Sequence, residues 1–93
     1  MDLRFHFDAV KSRQLQERHG LSLAEFGDVF AGPYILDKRQ DEPEQWRAIG
    51  WAKGRLHAVI FEERSDPDGP FYHLVTGWPA TKEEFHAYQK AYP

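Results

Sequence analysis

Three runs of strand-forming residues follow one another in the second half of the chain, and only short turns separate them. The runs cover residues 45–52, 55–64 and 71–78, and they are rich in aromatic and β-branched residues. A two-residue Lys-Gly turn and the segment SDPDGP connect them. Strands joined by such short connections pair as antiparallel neighbours. The sequence therefore predicts a β-meander at the centre of the fold.

The residues before the meander predict one short strand and two helices. Residues 3–7 alternate apolar and polar side chains, which is typical of a half-buried strand. Asp8 is placed to cap a helix over residues 9–19, and Gly20 suits the end of that helix. A capping box at Ser22 then predicts a second helix, whose apolar residues recur at helical spacing.

The rest of the chain completes the predicted architecture. An extended segment begins at Tyr34 and leads into an acidic loop at residues 40–44. Thr81 and Glu84 form a capping box for a closing amphipathic helix. The order β-α-α-β-β-β(-β)-α predicts a single α+β domain over residues 1–93, with an antiparallel sheet and helices mainly on one face.

Composition and motif content argue against several classes of function. Cysteine is absent, and the five histidines show neither HxxxH nor HxH spacing, so no metal site is expected. The chain has no glycine-rich phosphate-binding motif and no GxSxG, so no organic cofactor is expected. Its apolar runs are far shorter than the ~20 residues of a membrane span, and the N-terminus lacks the apolar segment of a signal peptide. We therefore expect a cytoplasmic protein without membrane contact.

The charge of the chain is unevenly distributed. The formal net charge is −3, and residues 1–40 hold six basic and six acidic side chains, whereas residues 41–93 hold six and nine. Proteins that wrap nucleic acid usually carry a basic excess, so this balance does not favour that class. The first predicted helix is nevertheless crowded with cationic side chains, namely Lys11, Arg13, Arg18 and His19.

Cleavage of RNA by its own 2′-hydroxyl is a chemistry that needs no metal or cofactor motif and that common polar side chains can support. This reaction needs cations that hold the phosphodiester and groups that accept and donate protons. The candidates on the predicted strands are Arg47, Arg64, His57 and His73. The alternative for each of them is a solvated or ion-paired strand residue.

Four sequence motifs follow one another along the chain. They are FHFDAVKSRQLQERHGLSLAEFGDVF, EQWRAIG, GRLHAVIFEER and LVTGWPATKEEFHAY. This succession resembles the BrnT toxin family of bacterial toxin-antitoxin systems over nearly the whole chain. The positions that match the family's pattern are Asp8, Lys11, His19, Gly20, Val29, Phe30, Ile49, Gly50, Arg64, Ala80, Thr81, Glu84 and Tyr88.

The resemblance implies a RelE-like ribonuclease fold, toxicity through RNA cleavage, and neutralisation by a BrnA-like antitoxin with a ribbon-helix-helix DNA-binding domain. It also implies that the chain meets operator DNA only through the antitoxin. The residues expected to contact RNA or the antitoxin are Lys11, Arg13, Arg18, His19, Trp78 and Lys82. A solvated face with pairs such as Arg13 and Glu17 remains the alternative for the first helix.

The chain departs from the family at positions that carry charge. Trp78 stands where the family has an arginine, and the basic start of the family's last helix is reduced to Lys82. Loss of one preorganised cation typically costs about 10²–10³ in rate. We therefore expect reduced ribonuclease activity that depends on Arg47 and Arg64. The alternatives are a catalytically inactive BrnT-like binding module that acts with the antitoxin in transcriptional autoregulation, and an unrelated α+β interaction domain.

Aromatic residues make up 15% of the chain, which is more than so small a core is expected to hold. Obligate interfaces commonly have aromatic anchors at their centre. We therefore expect an exposed aromatic patch on the free protein, drawn from Trp46, Trp51, Trp78, Phe71 and Tyr72.

Overall fold

A five-stranded mixed sheet forms the centre of the computed structural model, which describes residues 3–93. The strands are β1 (Phe5–Phe7), β2 (Tyr34–Asp41), β3 (Glu44–Ala52), β4 (Arg55–Asp66) and β5 (Gly69–Pro79). The helices are α1 (Ala9–His19), α2 (Leu23–Phe26), which continues as a 3₁₀ helix over Gly27–Ala31, and α3 (Lys82–Ala91). The α+β class is therefore confirmed. The predicted domain also includes Met1 and Asp2, which lie outside the described residues.

The strand order is β1-β5-β4-β3-β2, and the predicted meander is confirmed because β2 to β5 pair with each other in sequence, all antiparallel. The prediction of a purely antiparallel sheet is wrong at β1, which pairs with β5 in parallel. The alternation of residues 3–7 indicates a strand but carries no information on its direction. After β1 the chain passes through α1 and α2 and enters the opposite edge of the sheet at β2.

The helices divide between the two faces of the sheet. Leu23 and Phe26 of α2 share a buried cluster with Ala48 of β3, and Leu15 of α1 belongs to the same cluster. Tyr88 of α3 belongs to a second cluster, together with Ile49, Leu56 and Ala58. Successive residues of a strand point to opposite faces, so α3 covers the face opposite α1 and α2. The prediction that the helices lie mainly on one face therefore holds for α1 and α2 but not for α3.

The predicted helix caps are confirmed and explain where the helices begin. The Asp8 carboxylate accepts a hydrogen bond from the Lys11 backbone N–H at 2.9 Å. Reciprocal capping boxes begin α2 and α3. Gly20 ends α1 with a φ of 81°, a left-handed conformation that favours glycine. None of the helices in residues 3–93 is long and apolar enough to cross a membrane.

Candidate functional site

Helix α3 covers only one end of its sheet face, and the rest of that face carries polar side chains. We call this uncovered area the open sheet face and define it by Gln45, Arg47, Glu62, Arg64, His73 and His6. Arg47 donates a hydrogen bond to Glu84 of α3, so its side chain lies on the face of the sheet that α3 covers. The other members follow from strand alternation and the register of the sheet. Three of the four predicted catalytic residues, Arg47, Arg64 and His73, therefore share one face.

One row of this face crosses four strands. Gln45 donates a hydrogen bond from Nε2 to Oε2 of Glu62 at 2.7 Å. Glu62 is paired with His73 across β4 and β5, and His73 is paired with His6 across β5 and β1. The row therefore places an amide, a carboxylate and two imidazoles side by side on neighbouring strands, so that each group has the next one as its cross-strand neighbour.

Arg47 is held by two carboxylates. Its guanidinium forms an ion pair with Asp37 through Nη2 and donates from Nη1 to Oε2 of Glu84 at 3.2 Å. Glu84 is only 5% exposed, so one partner of the network is desolvated. The hydrogen bond to Asp37 is the main cause that raises the pKa of Arg47 above its usual value, and the charge of Glu84 adds to it. The positive charge of Arg47 is therefore compensated within the fold.

The positive charge of Arg64 is compensated by one carboxylate, that of Glu62. Its Nε donates to Oε1 of Glu62 at 3.0 Å, and Nη2 donates to the same oxygen. The pKa of Glu62 is lowered, first by the hydrogen bond from Gln45 and then by Arg64. Both arginines of the open sheet face thus form ion pairs with carboxylates that lie on this face or next to it.

Trp78 extends the network around Glu84. Its indole Nε1 donates to Oε1 of Glu84 at 2.9 Å, and the guanidinium of Arg39 lies 5.2 Å from the centre of the Trp78 ring. The same Glu84 oxygen accepts the capping bond from the Thr81 backbone N–H at 2.9 Å. The position at which the sequence lacks an arginine therefore carries an indole that is hydrogen-bonded to a carboxylate. Lys82, by contrast, is exposed at the start of α3.

His57 does not belong to this group. It lies on the opposite face of the sheet, is 1% exposed, and its ring meets the ring of Phe26 edge-on at 5.3 Å. Its Nδ1 lies 2.9 Å from the backbone oxygen of Arg55. Burial lowers the pKa of His57 below its usual value of 6.5. The structure therefore separates His57 from Arg47, Arg64 and His73, and we place it in the core rather than in the site.

The buried His57 predicts a pH dependence of stability. Because its pKa is lower in the folded state, the unfolded chain takes up a proton first as the pH falls below about 6.5. We expect the free energy of unfolding, measured in urea, to decrease from about pH 7.5 to about pH 5. The lowered pKa of His73 also decreases stability as the pH falls, so the test compares variants. We expect His57→Gln to reduce the dependence of the free energy of unfolding on pH and the exposed control His86→Gln to leave it unchanged. Equal slopes for the unmodified chain and His57→Gln would contradict this assignment.

The cationic side chains of α1 form a second, separate surface. Arg13 and Arg18 are exposed, and Lys11 and His19 are partly buried. Among the described residues, Lys11, Arg13 and Arg18 form no salt bridge, and the pair of Arg13 with Glu17 is not formed. Leu15 anchors α1 to the face opposite Arg47. The predicted contact residues therefore fall into two groups on opposite sides of the sheet.

The aromatic residues are also divided between the two sides. Trp51 is 49% exposed beside α3, and Trp78 is partly buried on the same face. Trp46 packs against the cluster on the other face, and Phe71 is buried. An exposed aromatic side chain is therefore present at Trp51, but the five predicted residues do not form one patch.

Two important residues of this region were not singled out from the sequence as site residues. His6 lies on the open sheet face. Alternation in residues 3–7 shows in the sequence that His6 and its neighbours point to opposite faces, but the pairing of β1 with β5 is needed to place it beside His73. Glu84 was recognised as a helix-capping residue and as a position that matches the family's pattern, but not as a residue that binds Arg47 and Trp78.

No group of three or more histidine or acidic side chains is arranged to hold a metal ion within residues 3–93. A scan of the chain against models of protein families found no match, and a search of curated proteins likewise found none.

Proposed function

We propose that this chain is a BrnT-like toxin component of a type II toxin-antitoxin system with a RelE-like ribonuclease fold. Its activity would be metal-independent endoribonucleolytic cleavage of RNA, because the attacking group is a hydroxyl of the RNA itself. The ordered motifs of the sequence support the family, and the open sheet face supports the chemistry. Arg47, Arg64 and His73 share that face, which offers an uncovered surface on which a single RNA strand can lie.

The observation that carries the proposal of reduced activity is the pairing of both arginines. Arg47 contacts Asp37 and Glu84, and Arg64 contacts Glu62. A phosphodiester that binds here has to compete with these carboxylates for the same N–H groups. Charge builds up on the phosphate oxygens in the transition state, so a cation that is already neutralised stabilises that state less.

The contact between Trp78 and Glu84 favours the second candidate, a catalytically inactive BrnT-like binding module. An indole adds no charge to the phosphate, although it can stack on a base and so help binding. Glu84 adds a negative charge beside it. In this form the chain retains the surface for a BrnA-like antitoxin and acts with it in transcriptional autoregulation, without cleaving RNA.

Lys11, Arg13 and Arg18 of α1 form no salt bridge within residues 3–93, and this supports a partner on the other side of the molecule. Arg13 and Arg18 are exposed and can attract an acidic segment of the antitoxin or the phosphates of RNA. We place operator DNA in contact with the antitoxin only, because the net charge of this chain is −3. The proposed location is the cytoplasm, where both partners would be made.

Induced expression tests both forms of the proposal. We expect a ribbon-helix-helix protein to be encoded next to this chain and to copurify with it. Expression of the chain alone is expected to slow growth and to produce cleaved RNA, and coexpression of the partner is expected to reverse both effects. Copurification without growth arrest or cleavage would favour the binding module. Absence of any such partner, together with normal growth, would contradict the toxin-antitoxin proposal.

A further inference from the structure

Two histidines stand next to each other on the open sheet face. His6 of β1 and His73 of β5 are register partners in the parallel pair of strands. Neighbouring strands lie about 4.8 Å apart, so imidazoles on the same side of such a pair can both reach one phosphodiester. His6 is exposed and His73 is partly buried. Both rings are therefore accessible from the uncovered side of the sheet.

The surroundings hold each ring in a different way. The His6 ring is stacked on Phe71, with 3.9 Å between the ring centres, and Phe71 is itself only 8% exposed. Arg4 lies over the same Phe71 ring at 5.5 Å and is bound to Asp66 at 2.8 Å. This stack limits the rotation of the His6 imidazole, although the residue is on a three-residue edge strand.

The second ring lies among charged groups. Glu62 and Arg64 of β4 face His73, His6 flanks it from β1, and Asp8 faces it from the start of α1. Arg64 is thus near the place where a phosphate oxygen between the two imidazoles would lie. A cation and two proton carriers meet in one small area, which is the minimum set for cleavage by the 2′-hydroxyl.

We propose that His6 and His73 are the proton-transfer pair of this site, a role that rests on the proposed ribonuclease function. One imidazole removes the proton from the ribose 2′-hydroxyl as the 2′-oxygen forms a bond to phosphorus. The imidazolium of the other gives its proton to the 5′-oxygen as the bond from phosphorus to that oxygen breaks. The products are a 2′,3′-cyclic phosphate and a 5′-hydroxyl end, and no oxidant, reductant or other reactant is consumed.

The surroundings of His73 suit it to act as the base, so His6 takes the role of the acid. Burial and the charge of Arg64 lower the pKa of His73, although Glu62 and Asp8 oppose this effect, so its neutral form is favoured near neutral pH. His6 is exposed on the edge strand, so it is the group of the pair left to give a proton to the 5′-oxygen.

Cleavage of a DNA oligonucleotide that contains one ribonucleotide tests the pair. We expect His6→Gln and His73→Gln each to lower the cleavage rate of the purified chain by about 10²-fold or more. The double variant is expected to be about as slow as the slower single one, because the two groups act in the same step. His86 is an exposed residue of α3, and the control His86→Gln is expected to leave the rate unchanged.

The pH profile distinguishes proton transfer from a structural role. The unmodified chain is expected to give a bell-shaped profile, His73→Gln to lose the acidic limb, and His6→Gln to lose the alkaline limb. Both limbs retained in both variants, or rates equal to those of His86→Gln, would overturn the pair and leave the ribonuclease proposal standing. Absence of cleavage by the unmodified chain at every pH would also overturn the pair, whereas the proposed toxin-antitoxin function is judged separately by its partner.

Discussion

Replacing Phe26 by alanine is expected to lower the free energy of unfolding by about 3–5 kcal/mol, which is the usual cost of removing a large buried aromatic ring. Phe26 has no exposed surface and belongs to the cluster between α2 and the sheet. Its ring lies so close to Gly77 that a Cβ atom there would come within 2.6 Å of it. The ring also meets His57 edge-on. Neighbours on two strands fit around this ring, so the cavity left by alanine has little scope to collapse.

Urea unfolding measures this effect against a matched control. Phe85 on α3 is 39% exposed, so Phe85→Ala removes a ring of the same size from a site that is already partly hydrated. We expect a clearly smaller loss for Phe85→Ala than for Phe26→Ala. Equal losses in the two variants would contradict the packing described for α2 against the sheet.

The double substitution Trp78→Arg and Glu84→Gln is expected to raise the RNA cleavage rate by about 10²-fold, the typical contribution of one preorganised cation. Trp78→Arg alone is expected to give a much smaller gain. The Trp78 indole already donates to Glu84 at 2.9 Å, so a new guanidinium would be bound by the same carboxylate. Glutamine at position 84 retains an oxygen for the Thr81 N–H but removes the negative charge.

The single variant Glu84→Gln serves as the control for this experiment. It releases Arg47 from one of its two carboxylates, and we expect a modest gain in rate that is smaller than that of the double variant. Thermal unfolding of all three variants shows whether the fold is retained. A double variant that folds and yet cleaves no faster than the unmodified chain would contradict the role given to the charge at position 78.

The sequence predicted most of the fold because its signals were local. Capping residues such as Asp8 and Thr81 were identified from spacing, and the short turns between residues 45 and 78 implied the meander. The direction of β1 and the face covered by α3 were not local properties. The direction of β1 depends on how the chain crosses from β1 to β2. The position of α3 depends on which face of the sheet it packs against, and this is the face on which Ile49 lies.

The candidate site was predicted less completely for a similar reason. Alternation already separates His57 from Arg64, since they are an odd number of positions apart on one strand and therefore point to opposite faces. His6 needed the pairing of β1 with β5, which no spacing within residues 3–7 reveals. The carboxylate partners of Arg47 come from β2 and α3, far apart in sequence, so the neutralised charge of the site became visible only in the folded chain.

The rate at which the purified chain cleaves a 5′-labelled single-stranded RNA tests whether the open sheet face is a ribonuclease site. We expect slow cleavage that leaves 2′,3′-cyclic phosphate ends. We also expect the combination of Arg47→Ala and Arg64→Ala to abolish cleavage while circular dichroism shows that the fold is retained. Rapid cleavage by the unmodified chain that survives both substitutions would show that the reaction takes place away from the open sheet face.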